Sequence, residues 1–459
     1  MCYNNIGFEN SIKQKEEVIL LVQKQTFKGG FHVHGYKELT NNGKLKNIPA
    51  PKVVKIPLAQ HIGAPATPVV AKGDYVKVGQ LIGEASGFIS ANIHSSVSGT
   101  VQKIEEYPTQ RGRNVMTVFI ENDDKEELGY DVLDRDWTNM QGEDIVHIIK
   151  EAGITGLGGA SFPTHVKVNP PKDKKIDSVI INAAECEPYL TADDTLLRNH
   201  AAEVVEGLLI IMKAVDAKNG YVTIEDNKPE AIGILTPICQ EKGVKLVVAK
   251  TKYPQGDEKR IIDVTLGRVV PAGGLPADVG VVVDNTSTAY AIYEAVRFGK
   301  PLYERIVTFT GHGMKNPTNA MVRFGTTYGE GIDYLGGLTE DASQVIVGGP
   351  MMGNSLYSTD FPFEKANNGC LVITREESQI REATPCIKCK KCVDVCPVRL
   401  IPFQLEKAVK FGKKEMMLEN HLMDCIECGS CSYICPATRP LVESIRIGKN
   451  QLRIKGSNK

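Results

Sequence analysis

A cysteine pattern occurs twice near the C-terminal end of the chain, and its spacing points to iron-sulfur chemistry. Its first copy is Cys386-x2-Cys389-x2-Cys392-x3-Cys396-Pro397, and the same spacing begins again 39 residues later at Cys425. Thiolates at this spacing hold [4Fe-4S] clusters, and the fourth cysteine of each run ligates the other cluster. We therefore predict two clusters with crossed ligation. The expected ligands are Cys386, Cys389, Cys392 and Cys435 for one cluster, and Cys425, Cys428, Cys431 and Cys396 for the other.

Structural zinc and a disulfide framework are the competing interpretations of these cysteines. Zinc sites use two cysteine pairs or add histidines, and they need neither a third spaced cysteine nor the Cys-Pro ending. Disulfides are disfavoured because eight of the twelve cysteines fall in the two runs. His32 and His34 alternate on one predicted strand and could form half a metal site. Since no third ligand is near in sequence, we interpret them as polar side chains on an exposed face.

The stretch from Gly153 to Thr164 is the second candidate site, because closely spaced glycines let backbone N–H groups approach a phosphate. Alone this indication is weak, since the stretch lacks the spacing of a dinucleotide motif that follows a strand. Polar residues at the ends of predicted strands strengthen it, because open α/β sheets bind ligands there. These residues lie in Asn182–Pro188, Gly256–Lys259 and Asp284–Thr286. Together the loop and the polar groups would suit flavin mononucleotide.

The elements that must position these groups form several domains, as expected for 459 residues. Residues 1–26 are interpreted as an N-terminal extension. Residues 27–122 are rich in valine, isoleucine, glycine and proline, which predicts many short strands. This segment resembles the lipoyl and biotinyl carrier sandwich. Its tip sequence, Ser90-Ala91-Asn92, has no lysine to modify, so the resemblance implies a scaffold or docking domain.

The remainder of the chain divides into three further predicted domains. After a charged linker, helical segments alternate with apolar runs in residues 137–300, which predicts a Rossmann-like α/β domain with a largely parallel sheet. Residues 303–374 are expected to form mixed strands. Residues 376–459 carry the cysteine runs and form the ferredoxin-like tail. The expected fold class is thus multidomain, α/β plus all-β.

Charge and hydropathy exclude several classes of partner. A net charge of −1 and a pI near 6.8 provide no field that would attract nucleic acid or an anionic membrane. No run of apolar residues approaches the length of a membrane span, so we expect no direct membrane span. The N-terminal region lacks a small-residue cleavage site, which disfavours export. Reduced thiols and oxygen-sensitive clusters both fit the cytoplasm.

Two protein families resemble this chain. The glycine loop and the Asn182–Pro188 motif look like those of the NADH-binding flavoprotein subunit of respiratory complex I. The order of all the parts is more similar to the RnfC family, the C subunits of Rnf complexes, a likeness that covers nearly the whole chain. Residues 305–349 resemble the soluble-ligand-binding β-grasp (SLBB) domain of such proteins. The further matching segments are Lys28–Gly30, Glu185–Leu190, Gly274–Asp278 and the doubled cysteine run.

The resemblance implies an NAD(H)-reactive subunit of a membrane-bound, ion-pumping ferredoxin:NAD+ oxidoreductase. It implies non-covalent FMN, two [4Fe-4S] clusters and NAD(H) as substrate. The implied partners are other subunits of the complex, including a ferredoxin-like iron-sulfur subunit, and the implied location is the cytoplasmic face of the cell membrane, as a peripheral protein. Two alternatives remain open: a soluble flavin and iron-sulfur reductase, such as a cobalamin reductase, or a cluster-bearing scaffold without flavin.

Site residues are carried over from the resemblance by position. Those implied for the FMN phosphate side are Gly156, Gly158, Gly159 and Lys167. Those implied to line the flavin are Asn182, Glu185 and Asn285. Those implied to contact the nicotinamide nucleotide are Phe162, Glu187 and Glu258, with Glu185 and Glu187 as the catalytic candidates. This chain departs from the complex I pattern at Leu157, where that family has arginine, and at Ala184, where it has aspartate.

Overall fold

The structure, a computed structural model, describes residues 25–110, 112–171 and 173–456. The N-terminal extension interpreted at residues 1–26 therefore lies almost wholly outside the described residues. Within the described ranges, none of the helices has the length and apolar character needed to cross a membrane.

Two small sheets in residues 53–122 enclose one apolar core. A separate short strand, β1 (Leu45–Asn47), precedes them. The strands are β2 (Val53–Pro57), β3 (Thr67–Pro68), β4 (Tyr75–Val76), β5 (Leu81–Glu84), β6 (Ile93–His94), β7 (Gly99–Pro108) and β8 (Asn114–Asn122). One sheet has the order β2-β8-β7-β4 and the other β3-β5-β6. Alternate residues such as Val54 and Ile56 face the core, which is the period-two pattern of half-buried strands.

The central domain is a parallel sheet with helices on both faces. Its elements are α1 (Gly142–Glu151), α2 (Thr164–Lys167), β9 (Ser178–Ala183), α3 (Ala192–Ala214), β10 (Asn219–Glu225), α4 (Pro229–Lys242), β11 (Lys245–Ala249), α5 (Glu258–Leu266), β12 (Val281–Asn285) and α6 (Thr286–Phe298). Val179 and Ile181 pack with α1, α3, α4 and α6, whereas Ile180 packs with α5 on the opposite face. Burial on both faces explains why these strands are almost continuously apolar. The predicted parallel arrangement is thus present.

The strand order of this sheet creates a crevice beside β9. The order is β11-β10-β9-β12, so the chain runs outward from β9 to β11 and then returns to place β12 on the other side. Ligands of open α/β sheets bind at such a switch point, beyond the carboxyl ends of the strands. Asn182 of β9 and Asn285 of β12 are register partners at that edge.

The next domain, which we call the β-grasp domain after the resemblance noted above, is a six-stranded mixed sheet covered by one short helix. Its elements are β13 (Glu304–Thr310), β14 (Thr318–Arg323), α7 (Tyr328–Tyr334), β15 (Ala342–Val347), β16 (Asn354–Ser355) and β17 (Gly369–Thr374), and the sheet order is β1-β14-β13-β17-β15-β16. β1 lies inside the range expected for the sandwich, yet it pairs in parallel with β14. β1 is held here because Ile48, the residue that follows it, is buried in the core of this mixed-sheet domain.

The C-terminal domain is helical. Its helices are α8 (Lys391–Asp394), α9 (Pro402–Lys410), α10 (Lys414–Glu419), α11 (Ser430–Tyr433) and α12 (Leu441–Gly456). Leu405 of α9 and Ile445 of α12 share its main apolar core. Short 3-10 helices lie at Lys37–Leu39, Trp137–Asn139 and Pro276–Val279, and a fourth lies in the C-terminal domain at Leu422–Asp424.

Residues 25–40 form a strap that joins the central and C-terminal domains. Gln25 makes a parallel bridge at the end of β11, on the edge of the central sheet. The N–H of Gly30 donates to the Val395 carbonyl at 2.8 Å. The ring of Phe31 stacks on that of Tyr433, with the centroids 5.1 Å apart. The first described residues of the chain are therefore packed against its last domain.

Candidate cluster and flavin sites

The eight cysteines of the two runs surround two cavities in the C-terminal domain. The first cavity is lined by Cys386, Cys389, Cys392 and Cys435. The second is lined by Cys396, Cys425, Cys428 and Cys431. These are the two crossed sets expected from the spacing. The two cavities are similar in size, as expected for two copies of one kind of cluster.

The backbone around the two cavities repeats as the sequence does. Left-handed conformations occur at Lys388 and Lys390 in the first run, with φ of 56° and 63°. They recur at the equivalent Glu427 and Gly429 of the second run, with φ of 57° and 78°. These turns distribute the cysteines around the wall of each cavity. In the part of the chain that the structure describes, no three or more histidine, cysteine, aspartate or glutamate side chains are placed to share a single metal ion. Two sets of four cysteines on repeated turns suit two [4Fe-4S] clusters.

The two cysteine sets differ in their surroundings. We call Cys396, Cys425, Cys428 and Cys431 the inner set, and Cys386, Cys389, Cys392 and Cys435 the outer set. Tyr253 of the central domain is 2 % exposed and donates its hydroxyl to the Cys428 carbonyl at 2.7 Å. Gly29 has φ of +80°, and a Cβ there would lie 2.5 Å from the Cys396 carbonyl oxygen, so the strap needs glycine at this contact. In the outer set Cys386 and Cys389 are exposed.

The glycine loop connects α1 to α2 at the edge of the crevice. The Gly156 N–H donates to the Phe162 carbonyl at 2.9 Å, which closes the loop. The Leu157 N–H donates to the Thr288 hydroxyl at 2.9 Å. Gly158 and Gly159 are exposed, and among the described residues their N–H groups make no hydrogen bond of normal geometry. Free backbone donors at such a loop fit the phosphate of FMN.

Asn285 links the glycine loop to the helices behind it. A Cβ on Gly158 would lie 2.8 Å from the Asn285 Cβ, so the two residues are in close contact. Asn285 caps α6, since its Oδ1 accepts from the Ser287 N–H at 2.9 Å. Its Nδ2 donates to Asp193 at 2.6 Å. On the neighbouring strand, Asn182 donates to the Gly256 carbonyl at 2.9 Å.

Lys167 lies at the end of α2 and faces the carboxyl end of β12. Its Nζ donates to Glu258 at 3.0 Å and to the Val283 carbonyl at 2.7 Å. Although burial lowers the pKa of Lys167, the charges of Glu258 and Asp284 outweigh it and raise the pKa to about 12. The structure thus brings together Lys167 and Glu258, two of the residues expected at the site.

Asp284 belongs to a strand-end segment named in the sequence analysis, but the sequence assigned it no role of its own. Its carboxylate lies 3.7 Å from Lys167, and both of its oxygens are buried without a hydrogen-bond partner. Burial raises the pKa of Asp284 to about 6, against the opposing effect of Lys167. A buried carboxylate without donors is costly. The hydroxyl groups of a ribityl chain are donors of the kind it lacks. The indication in the sequence was its position at the end of a predicted strand, directly before Asn285.

The carboxylates of Glu185 and Glu187 are engaged by neighbouring backbone groups. Glu185 accepts from the N–H groups of Asp193 at 2.7 Å and Asp194 at 3.3 Å, at the beginning of α3. Glu187 accepts from the N–H groups of Met351 at 2.6 Å and Met352 at 3.2 Å, in the loop between β15 and β16. Burial raises the pKa of each carboxyl group to about 7. Their catalytic assignment stays a prediction, as does the nucleotide contact at the half-buried Phe162.

Four family models match successive parts of the chain. They are the RnfC barrel sandwich hybrid domain at residues 25–125, the Nuo51 FMN-binding domain at 149–294, the SLBB domain at 306–355 and the 4Fe-4S dicluster domain at 385–438. These matches confirm the expected fold class. They also agree with the flavin and cluster sites described above.

Curated relatives match the chain over nearly its full length. The C subunit of the proton-translocating ferredoxin:NAD(+) oxidoreductase complex of Clostridium ljungdahlii is 44% identical over 94% of this chain and 95% of its own length. The C subunit of the Na(+)-translocating complex of Acetobacterium woodii is 45% identical over 94% of this chain and 98% of its own. A crystal structure of an NAD+-reducing [NiFe]-hydrogenase aligns with a TM-score of 0.47 at 19% identity. That alignment covers 61% of this chain and 54% of the hydrogenase chain.

Proposed function

Because the chain belongs to the RnfC family, the C subunits of Rnf ion-translocating ferredoxin:NAD+ oxidoreductase complexes, we propose that it carries electrons between NAD(H) and the other subunits of such a complex. Its cofactors are FMN and two [4Fe-4S] clusters. Bound FMN supplies the exchange between the two-electron chemistry of NAD(H) and the one-electron chemistry of the clusters.

The placement of the inner cysteine set is the observation that carries this proposal. Tyr253 lies on the loop that follows β11 and contacts the backbone of Cys428. Glu187, on the loop that follows β9, holds Met351, and the Met351 carbonyl oxygen lies 2.8 Å from the Cβ position of Gly429. The inner set is thus reached directly from the loops of the crevice. We place it on the flavin side of the electron route and the outer set on the partner side.

Specific residues are proposed to hold the cofactor and the substrate. The N–H groups of Gly158 and Gly159, with Gly156 shaping the loop, would bind the phosphate, and Lys167 would contribute positive charge. Asn182, Asn285 and Asp284 would face the ribityl chain and the ring. Glu185 would also line the flavin, and Phe162, Glu187 and Glu258 would border the nicotinamide nucleotide. These groups orient the two molecules and exclude water, and no general base is required for hydride transfer.

An anaerobic titration with NADH tests the proposal. In the reconstituted chain, flavin absorbance should bleach first, and cluster absorbance and the EPR signals of reduced clusters should follow. Free FMN at the same concentration, without the protein, is the background control. Bleaching of neither chromophore by NADH would refute the proposed function.

We further propose that the partner is a ferredoxin-like iron-sulfur subunit, bound at the outer set on the cytoplasmic face of the membrane. Lys388, Lys390 and Lys391 are exposed around this set, and Ile387 among them is 68% exposed. A positive rim around an apolar contact favours an acidic partner and speeds its association. The other subunits of the complex are the partners of this family.

Charge reversal tests this docking surface. The triple variant K388E/K390E/K391E should slow electron transfer to the purified partner subunit about tenfold or more at low salt, because steering by charge raises association rates by roughly 10 to 1000-fold. The matched control is K407E/K410E/K413E, which makes the same charge change at exposed positions around α9. Equal transfer rates in the two variants would contradict the proposal.

A further inference from the structure

Two buried cations of the β-grasp domain reach into the central domain and bind the glycine loop. Arg305 of β13 is 4% exposed, and its Nη1 donates to the Leu157 carbonyl at 2.9 Å. Lys365 is completely buried, and its Nζ donates to the Gly153 carbonyl at 2.6 Å. The same Arg305 nitrogen donates to the Lys365 carbonyl at 2.5 Å, so the two cations form one connected unit.

In the described part of the chain, neither Arg305 nor Lys365 is paired with an anionic side chain that would neutralise it. Among residues that the structure describes, neither forms a salt bridge, and both donate to backbone carbonyls. Burial lowers the pKa of Arg305 to about 10, and the charge of Asp193 offsets this only in part. Burial lowers the pKa of Lys365 to about 7, and the side chains of His61 and His94 near it carry no negative charge that could pair with it. A buried cation without a paired anion is costly. Its retention beside an anion-binding loop needs an explanation.

The hydrogen bond from Arg305 fixes the direction of an amide that faces the crevice. A trans peptide unit is planar, so its C=O and N–H point to opposite sides. Because the Leu157 carbonyl points inward to Arg305, the N–H of Gly158 points away from it, on the exposed side of the loop. Within the described residues, the Gly158 N–H makes no hydrogen bond of normal geometry.

The hydrogen bonds from Lys365 fix the beginning of the same loop. Its Nζ also donates to the Asn92 carbonyl at 2.7 Å, at the tip of the sandwich where carrier domains bear their modified lysine. Gly153 has φ of +65°, and a Cβ there would lie 2.3 Å from the Asn92 oxygen. The Lys365 amine therefore connects the β-grasp domain, the sandwich and the central domain. The sandwich tip packs against the beginning of the glycine loop.

We propose that Arg305 and Lys365 are positioning residues that hold the glycine loop with its amides directed at the flavin phosphate. This inference rests on the proposed flavin site. It predicts that the β-grasp domain, which lies outside the flavin-binding sheet, determines the preference of the site for FMN over riboflavin, which has no phosphate.

The test compares the affinities of deflavinated holo-cluster protein for FMN and for riboflavin, measured by flavin fluorescence. Lys365→Met should weaken FMN binding about tenfold or more and leave riboflavin binding within a few-fold, while Lys365→Arg should recover part of the preference. Arg305→Lys, which keeps the charge but loses the planar fork, is a second variant, and we expect it to lower the FMN preference too.

Arg323→Met is the matched control. Arg323 is a β-grasp cation on β14 that binds the Ser96 carbonyl of the sandwich at 2.5 Å and does not touch the loop. This variant should keep the FMN preference, whatever stability it loses. An unchanged preference in Lys365→Met and Arg305→Lys, or an equal loss in Arg323→Met, would overturn the inference. Absence of FMN binding by the wild-type chain would instead refute the proposed function.

Discussion

Replacing Cys396 by alanine is expected to remove the inner cluster, although Cys396 belongs to the first cysteine run. Its sulfur lines the cavity whose other cysteines are Cys425, Cys428 and Cys431. The purified variant should hold about half of the wild-type iron, because one of two four-iron clusters is lost. Iron analysis and EPR of the dithionite-reduced protein measure this. NADH should still reduce the flavin, whereas the rate of electron transfer to the partner should fall to background.

Cys370→Ala is the matched control for this loss. Cys370 is a buried cysteine on β17, in the core of the β-grasp domain and outside both cavities. The Cys370→Ala variant should keep all of the iron. Cys392→Ala should remove the outer cluster and leave the inner EPR signal. If Cys396→Ala and Cys392→Ala abolished the same EPR signal, the ligation would not be crossed.

Gly158→Ala is expected to weaken FMN binding substantially. The added methyl would lie 2.8 to 2.9 Å from three atoms of the Asn285 side chain, closer than van der Waals contact allows. Asn285 is held by Asp193 and by its cap of α6, so the glycine loop would have to move instead. Displacing such a contact costs roughly 1–3 kcal/mol, and about 1.4 kcal/mol is a tenfold change in affinity. The FMN dissociation constant, measured by fluorescence, should therefore rise about tenfold or more.

Gly233→Ala provides the control for the glycine substitution. Gly233 lies in the interior of α4 in the same domain, and a Cβ there meets no atom within 4 Å. Alanine should stabilise this helix by roughly 0.5–1 kcal/mol and leave FMN affinity unchanged. Wild-type affinity in Gly158→Ala would show that the loop does not bind the cofactor against Asn285.

The grouping of the eight cysteines around two cavities could be predicted from the sequence, because it depends on local spacing. Two and three intervening residues fix the turn, and the repeated pattern specifies the exchange of the fourth ligand. The strand-end positions of Asn182 and Asn285 were also predictable, since apolar runs indicate where parallel strands end. Their role in binding flavin stays a prediction.

Other parts of the site depend on contacts between distant segments, which spacing does not encode. Arg305 and Lys365 reach the glycine loop across 148 and 212 positions of sequence. Tyr253 meets Cys428 across 175 positions. The carboxylate of Glu187 could not be assigned to the loop of Met351 without the packing of two domains. In each case tertiary structure, rather than residue type, brings the groups together.

The order of translation determines when the strap of residues 25–40 can form its contacts. A chain folds as it leaves the ribosome, and domains generally form in order from the N-terminus. The strap emerges early, yet Gly30 and Phe31 pack against Val395 and Tyr433, which emerge last. Its contacts with the C-terminal domain must therefore form late in translation, whereas its pairing with Ala249 and Tyr253 of the central domain can form earlier. Lys37, in the same strap, binds the Glu185 and Glu187 carbonyls of the crevice. The strap can thus organise the crevice first, and it joins the crevice to the cluster domain only when the last domain has been synthesised.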